Sequence, residues 1–303
     1  MALATKHRPK KLSRIIGNKN VCAQLEKMLS RRRSEIPHTM LFHGPAGTGK
    51  TTLARIVARG LGCDFRIDGI ERNAAHCRGI DDARELCEAA NRAPMSSDIR
   101  VIILDECHQL TTAAQNCLLK SLEEPPPHAY FLLCTTEPEK LLNTVATRCT
   151  KFQTLSIADD EVVAGLRRIC KRERIKLSDG ILKEIADNSD GSMREALTIL
   201  DSLRDVGDEK DIARMIVENK AKRDGAFNLF LALLKKKNWR AVLKTIDDAP
   251  ETIRIVVARA ASTYVMKRNM KAAAILEIFV EQPFIGPCAQ AMLVLACLEV
   301  EAG

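Results

Sequence analysis

Between Gly44 and Thr51 the chain reads G-P-A-G-T-G-K-T, which fits the phosphate-loop pattern G-x-x-x-x-G-K-[ST] at every position. Met40, Leu41 and Phe42 precede it as a short apolar run, and Thr52-Leu-Ala-Arg-Ile-Val-Ala-Arg follows with helical periodicity. The local order is therefore strand, glycine loop, helix. Gly44, Gly47 and Gly49 let successive backbone N–H groups turn inward around a β-phosphate, and the helix N-terminus adds its partial positive charge. Lys50 supplies a point charge for the β- and γ-phosphates, and the Thr51 hydroxyl is the expected Mg²⁺ ligand. Gly44, Pro45, Ala46, Gly47, Thr48, Gly49, Lys50, Thr51 and Thr52 are the candidate contacts to ATP.

A second segment completes a nucleotide site. Arg100-Val-Ile-Ile-Leu-Asp-Glu-Cys-His is a buried-strand run that ends in two carboxylates, which places an acid at the carboxyl edge of a parallel sheet. Asp105 is the expected outer-sphere Mg²⁺ partner. Glu106 is placed to orient and polarise a water for in-line attack on the γ-phosphate. His108 makes the local string D-E-C-H, which invites a helicase reading. Such helicases need two strand-rich lobes, and the chain after about Phe152 reads as helical throughout, so we set that reading aside.

With 303 residues the chain has room for two or three domains. No apolar segment approaches the length of a membrane span, and the basic N-terminus lacks the apolar core of a secretory signal, so a cytoplasmic protein with no membrane partner is expected. The 11 cysteines are scattered without a C-x-x-C pair, which reads as reduced thiols and no zinc site. A formal net charge of +8 does not by itself specify a polyanion partner.

Strand-like runs at 39–42, 67–71, 101–104 and 130–134 alternate with helical ones, and helical periodicity continues beyond 156. Helix caps are read at Ser178 and Ser192. The expected organisation is an α/β core with a parallel sheet at 1–155, a small helical domain at 156–207 and an all-α block at 208–303, joined near 206–208.

Further segments carry a family resemblance. They are His7-Arg-Pro followed by Ile15-Ile-Gly-Asn; Asn116-Cys-Leu-Leu-Lys-Ser-Leu-Glu-Glu-Pro-Pro-Pro-His; Tyr130-Phe-Leu-Leu-Cys-Thr-Thr-Glu-Pro-Glu-Lys-Leu running into Thr147-Arg-Cys; and Gly191-Ser-Met-Arg-Glu-Ala-Leu. Together they resemble the γ/τ ATPase subunits of the bacterial sliding-clamp loader, which are AAA+ proteins, over roughly Ala4 to Leu203. The resemblance implies a AAA+ P-loop core, a helical lid and a helical collar for oligomerisation.

It also assigns roles. Arg8, Pro9 and Ile16 belong to the motif beside the adenine. Thr136 takes the sensor 1 position near the γ-phosphate, and Arg194, one turn into a lid helix, takes that of sensor 2. Arg148 takes the place of an arginine finger acting in trans, which implies a head-to-tail, pentameric arc with other loader subunits. The helix N-termini at Arg78 and at Thr111, Thr112 and Gln115 fall where the family meets primer–template DNA, and residues 89–95 fall where the clamp docks. The collar carries an apolar stripe through Ile212, Ile216, Phe227, Leu229, Phe230, Leu233 and Leu234, with Trp239 as a core residue.

Departures from the family pattern are equally specific. The four-cysteine zinc module is missing, since Leu61-Gly-Cys-Asp-Phe-Arg-Ile-Asp keeps one cysteine. His7 stands for Tyr, Asn18 for Gln and Thr147 for Ser. Tethers to helicase and polymerase of the kind carried on a long C-terminal extension are not expected. A short form of this kind suits a virus or a divergent bacterium, acting in the host cytoplasm in the first case. Two other readings stay open: a AAA+ DNA remodeller or helicase-type ATPase that acts on no clamp, and a non-catalytic scaffold subunit.

Overall fold

Each central strand is apolar at consecutive positions, so it needs cover on both faces, and alternate residues go to two different cores. Met40, Phe42, Val101, Ile103, Tyr130, Leu132 and Cys134 are buried in one cluster; Leu41, Ile102, Leu104, Phe131 and Leu133 are buried in the other. The computed structural model describes residues 2–204, 227–234, 238–244, 246, 248–266, 270–281, 284 and 288–302.

Strands β1 (Thr39–His43), β2 (Gly69–Asn73), β3 (Arg100–Asp105), β4 (Ala129–Thr135) and β5 (Thr150–Gln153) form a parallel sheet in the order β2-β3-β4-β1-β5. Around it run α1 (Leu3–Lys6), α2 (Lys19–Leu29), α3 (Lys50–Gly60), α4 (Ile80–Asn91), α5 (Thr112–Glu123) and α6 (Asn143–Ala146). Helices α7 (Asp159–Glu173), α8 (Asp179–Asp187) and α9 (Met193–Leu203) follow the sheet. The order of the strands positions the site. β1 opens into the phosphate loop, β3 ends in Asp105, and β4 lies between them, so the ends of three strands converge.

Two strand expectations needed correction. β2 begins at Gly69, two residues later than read, because buried Asp68 turns its carboxylate to the backbone N–H groups of Met95, Ser96 and Ser97, while Ile67 is exposed. β5 was not anticipated: only Phe152 of its four residues is buried, as befits an edge strand with little apolar pattern.

The chain divides into two compact units, Met1–Val206 and Gly207–Gly303. Helices α7–α9 belong with the sheet in the first. They are tied to it through the N-terminal segment: Lys6 Nζ and His7 Nε2 lie 2.7 and 2.6 Å from the Glu173 carboxylate of α7, and α1 packs on α9. In the second unit most of the described residues are helical, with a core that includes Leu229, Phe230, Leu233, Trp239, Val257 and Phe279, and Phe227 and Leu234 packed against it. Ile212, Ile216 and the link at 206–208 lie outside the described residues. Among the described residues no helix is long and apolar enough to cross a membrane.

Candidate functional site

The phosphate loop is held from both sides. A Cβ on Gly44 would run into the Thr154 carbonyl after β5, and one on Gly47 would run into Ser192 Oγ at the start of α9, so both positions require glycine. Thr48 Oγ1 ties the loop to itself and to the sheet, 2.8 Å from Pro45 O and 2.8 Å from Thr154 Oγ1. Lys50 is 6% exposed, and its Nζ donates to Gly44 O at 2.9 Å and Pro45 O at 2.8 Å. Burial lowers the pKa of this ammonium, against the opposing pull of Glu106 and Asp105.

Across the loop, Thr51 Oγ1 donates to Asp105 Oδ2 at 2.8 Å. This hydroxyl–carboxylate pair is an oxygen donor set suited to Mg²⁺. Glu106 has a left-handed backbone (φ 50°), with its amide bonded to Asp105 Oδ1 at 3.1 Å. Its Oε2 accepts from Thr136 Oγ1 at 3.2 Å, so the end of β4 meets the acid that follows β3.

Lys50, Thr51, Asp105 and Glu106 border a cleft of about 590 Å³, large enough for a nucleoside triphosphate, and Thr136 stands outside its lining. Ala46 to Thr52, Asp105, Glu106, Arg8 and Arg194 line it, together with the apolar side chains of Pro9, Ile16, Ile157, Met193 and Leu197 and with Gly165. Gly44 and Pro45 stand behind the cleft, where their carbonyls receive Lys50. Arg194 is the second residue of α9, earlier than the full turn expected from sequence. Burial, Arg55 and Arg194 lower the pKa of Arg8, while Glu71 and Asp105 act against them. Arg55 is itself held by two hydrogen bonds to Glu71, at 2.7 and 2.6 Å.

Other expected site residues lie elsewhere. Arg148 does not line this cleft. Its guanidinium pairs with Glu123 of α5, and its NH1 donates to Thr144 O at 2.6 Å. Arg78, Thr111 and Thr112 are exposed, and the Thr111 amide donates to Arg78 O at 3.1 Å, which sets the starts of α4 and α5 side by side. Gln115 departs from its expected role. It is 3% exposed, and its amide is taken up by Leu110 O and the Leu142 backbone N–H, so it braces α5 instead of facing a ligand. Sequence reasoning missed the Arg55–Glu71 pair, the Lys6 and His7 contacts to Glu173, and the place of His108 beside Glu106. An Arg sixteen residues before a Glu on the next strand is the only signal that pointed to the first of these. All eleven cysteines are free, and among the described residues no three His, Cys, Asp or Glu side chains cluster as metal ligands would.

The chain has known relatives by sequence. The chain is 38% identical over 225 residues to a DNA polymerase III subunit gamma/tau of Mycobacterium tuberculosis, covering 67% of this chain and 39% of the relative. It is 33% identical over 273 residues to the DNA polymerase III subunit tau of Bacillus subtilis, covering 83% of this chain and 47% of the relative. This chain is a AAA+ protein of the DNA polymerase III gamma/tau type.

Family models match the gamma/tau-type chain in two places: "DNA polymerase III, delta subunit" at residues 72–158, and "RCF1/5-like, AAA+ ATPase lid domain" at 164–204. The Holliday junction branch migration motor RuvB of Thermotoga maritima superposes with a TM-score of 0.60 at 22% identity, over 73% of this chain and 78% of that one. That likeness is one of fold: a AAA+ α/β core and helical lid. The gamma/tau-type chain spans 39–47% of the length of these two curated relatives.

Proposed function

We propose that this chain is the ATPase subunit of a sliding-clamp loader, using ATP binding and hydrolysis to open a clamp and place it on primer–template DNA. The observation that carries the reading is the convergence of Lys50, Thr51, Asp105 and Glu106 on a nucleotide-sized cleft, with Thr136 bonded to Glu106 from behind the lining.

In this reading Lys50 leaves the Gly44 and Pro45 carbonyls to bind the β- and γ-phosphates, and loop N–H groups cradle the β-phosphate. Thr51 and Asp105 hold Mg²⁺, which neutralises charge on the phosphates. Glu106 polarises the attacking water, and Thr136 orients water or γ-phosphate from its place on the neighbouring strand. Arg194 and Arg8 add positive charge at the polar end. Arg194 sits on the lid, so its contact couples lid angle to nucleotide state. Pro9, Ile16, Met193 and Leu197 receive the base.

Arg148, outside its own cleft, serves a neighbouring subunit, which requires a head-to-tail arc of loader subunits, pentameric in this family. Exposed Arg78, Thr111 and Thr112 at the adjoining starts of α4 and α5 meet DNA phosphates and read duplex shape. Residues 89–95 dock the clamp. The protein works in the cytoplasm, or host cytoplasm if viral, with ATP and Mg²⁺ and without zinc.

The test is ATP turnover by the loader assembly with and without clamp and primed DNA. Stimulation by the two together supports loading. Turnover indifferent to clamp points to a remodeller, and absence of turnover with intact assembly points to a scaffold.

A further inference from the structure

We infer that His108 is a positioning residue that aims Glu106, and the inference rests on the ATPase reading of Glu106 above. His108 lies in the short turn Cys107–Gln109 directly after Glu106, and its side chain is 4% exposed. Nδ1 stands 2.9 Å from Thr135 Oγ1 and 3.5 Å from Glu106 Oε2. On the other side of the ring, Gln109 Nε2 lies 2.9 Å from Nε2. We assign the ring proton to Nδ1, facing Thr135 and Glu106, with Nε2 accepting from the Gln109 amide. Thr135 is fully buried, and its Oγ1 also accepts from the Glu137 backbone N–H at 3.0 Å, so the ring is pinned to the end of β4.

The consequence falls on the carboxylate. Thr136 Oγ1 and His108 Nδ1 both approach Oε2 of Glu106, whereas Oε1 has no hydrogen-bond partner among the described residues. One oxygen is anchored and the other is left for water. The left-handed backbone at Glu106 is uncommon for a non-glycine residue and persists where surroundings over-determine it. The chain Gln109–His108–Thr135, with Thr136, provides that restraint. A base held this way acts from a fixed orientation, and a misplacement of about 1 Å can lower a rate by about a hundredfold.

The experiment measures steady-state ATP turnover and ATP affinity in the full chain carrying His108→Leu, His108→Asn or Glu106→Gln, with unfolding monitored for each. Asn places an amide donor where Nδ1 stands; Leu does not. The inference expects kcat to fall about tenfold to a hundredfold in His108→Leu with KM within about twofold, partial recovery in His108→Asn, and no further loss on combination with Glu106→Gln. A His108→Leu rate within twofold of the parent, or equal losses in Leu and Asn, overturns it. A parent-like rate in Glu106→Gln overturns the ATPase role of Glu106 and the inference together, whereas an inactive Glu106→Gln beside an active His108→Leu overturns the inference alone. Nitrogen-15 NMR of the histidine rings gives a readout that needs no folded His108→Leu. An Nδ1–H tautomer at His108 whose resonance moves in Glu106→Gln supports the assignment, and an Nε2–H tautomer or an unmoved resonance overturns it.

Discussion

Thr136 Oγ1 and Glu106 Oε2 are 3.2 Å apart, a hydrogen bond that joins the residue after β4 to the residue after β3. The two strands are neighbours in the sheet, so this contact follows from strand order and not from proximity in sequence. In the proposed function it puts the expected phosphate sensor in contact with the expected water-polarising base. Glu106→Gln keeps the shape and removes the charge. We expect ATP to stay bound while kcat falls by about 10²–10⁴-fold, the usual contribution of a positioned base. Nucleotide binding and turnover measured side by side check this, and parent-like turnover would assign the role to another residue.

Lys50→Ala should weaken ATP binding as well as abolish hydrolysis. The residue is 6% exposed and its ammonium is already held at the loop by two carbonyls, so it needs only to exchange those acceptors for phosphate oxygens. Equilibrium binding of a fluorescent ATP analogue distinguishes this outcome from a purely catalytic defect. Near-normal turnover in the variant would remove the site from this loop.

Arg148 tests assembly and chemistry together. If it serves a neighbour, Arg148→Ala chains bind ATP at their own loops but hydrolyse it about 10³–10⁵-fold more slowly. Mixing them with Lys50→Ala chains should restore part of the activity, because one interface then pairs an intact loop with an intact finger. No recovery in mixed complexes shown to have assembled would exclude the head-to-tail arc.

Asp68 carries a pH prediction. Burial opposes its ionisation, yet the backbone N–H groups of Met95, Ser96 and Ser97 and the Ser97 hydroxyl outweigh that effect and hold its pKa well below the ordinary value of 3.8. The resulting stabilisation is complete above the unfolded-state pKa. It is lost as pH falls below 3.8 toward the folded value, because the unfolded chain takes up a proton first. Asp68→Asn should destabilise the first unit by about 1.5–3 kcal/mol near neutral pH, the scale of a hydrogen bond to a charged group, and flatten its acid decline. Urea unfolding across the acid range measures both; an unchanged acid slope would contradict it.

Elemental analysis of protein purified without added metal should find no stoichiometric zinc, because the sequence offers no four-ligand set at usable spacing. One zinc per chain would overturn the reading of residues 61–80.

The halves of the nucleotide site were legible because each is a local pattern. A glycine loop between strand and helix needs only its neighbours to be recognised, and the same holds for an acid pair closing an apolar strand. The edge strand β5 was not legible, since an edge needs one apolar residue where a central strand needs a run. Gln115 misled because a polar side chain near an exposed helix start resembles a ligand contact, and nothing local says that Leu110 O and the Leu142 N–H consume it.

What the sequence determined alone was therefore the chemistry available: the phosphate loop and the acids. Only the tertiary structure decided how those groups are aimed. Glu173 reaches His7 from 166 residues away, Leu155 reaches Asn18 from 137, and Glu123 occupies Arg148. Such pairings depend on how strands are ordered and helices packed. A hydrogen bond between residues far apart in the chain leaves no periodic trace in either segment, so it becomes readable only once the sheet has brought them together.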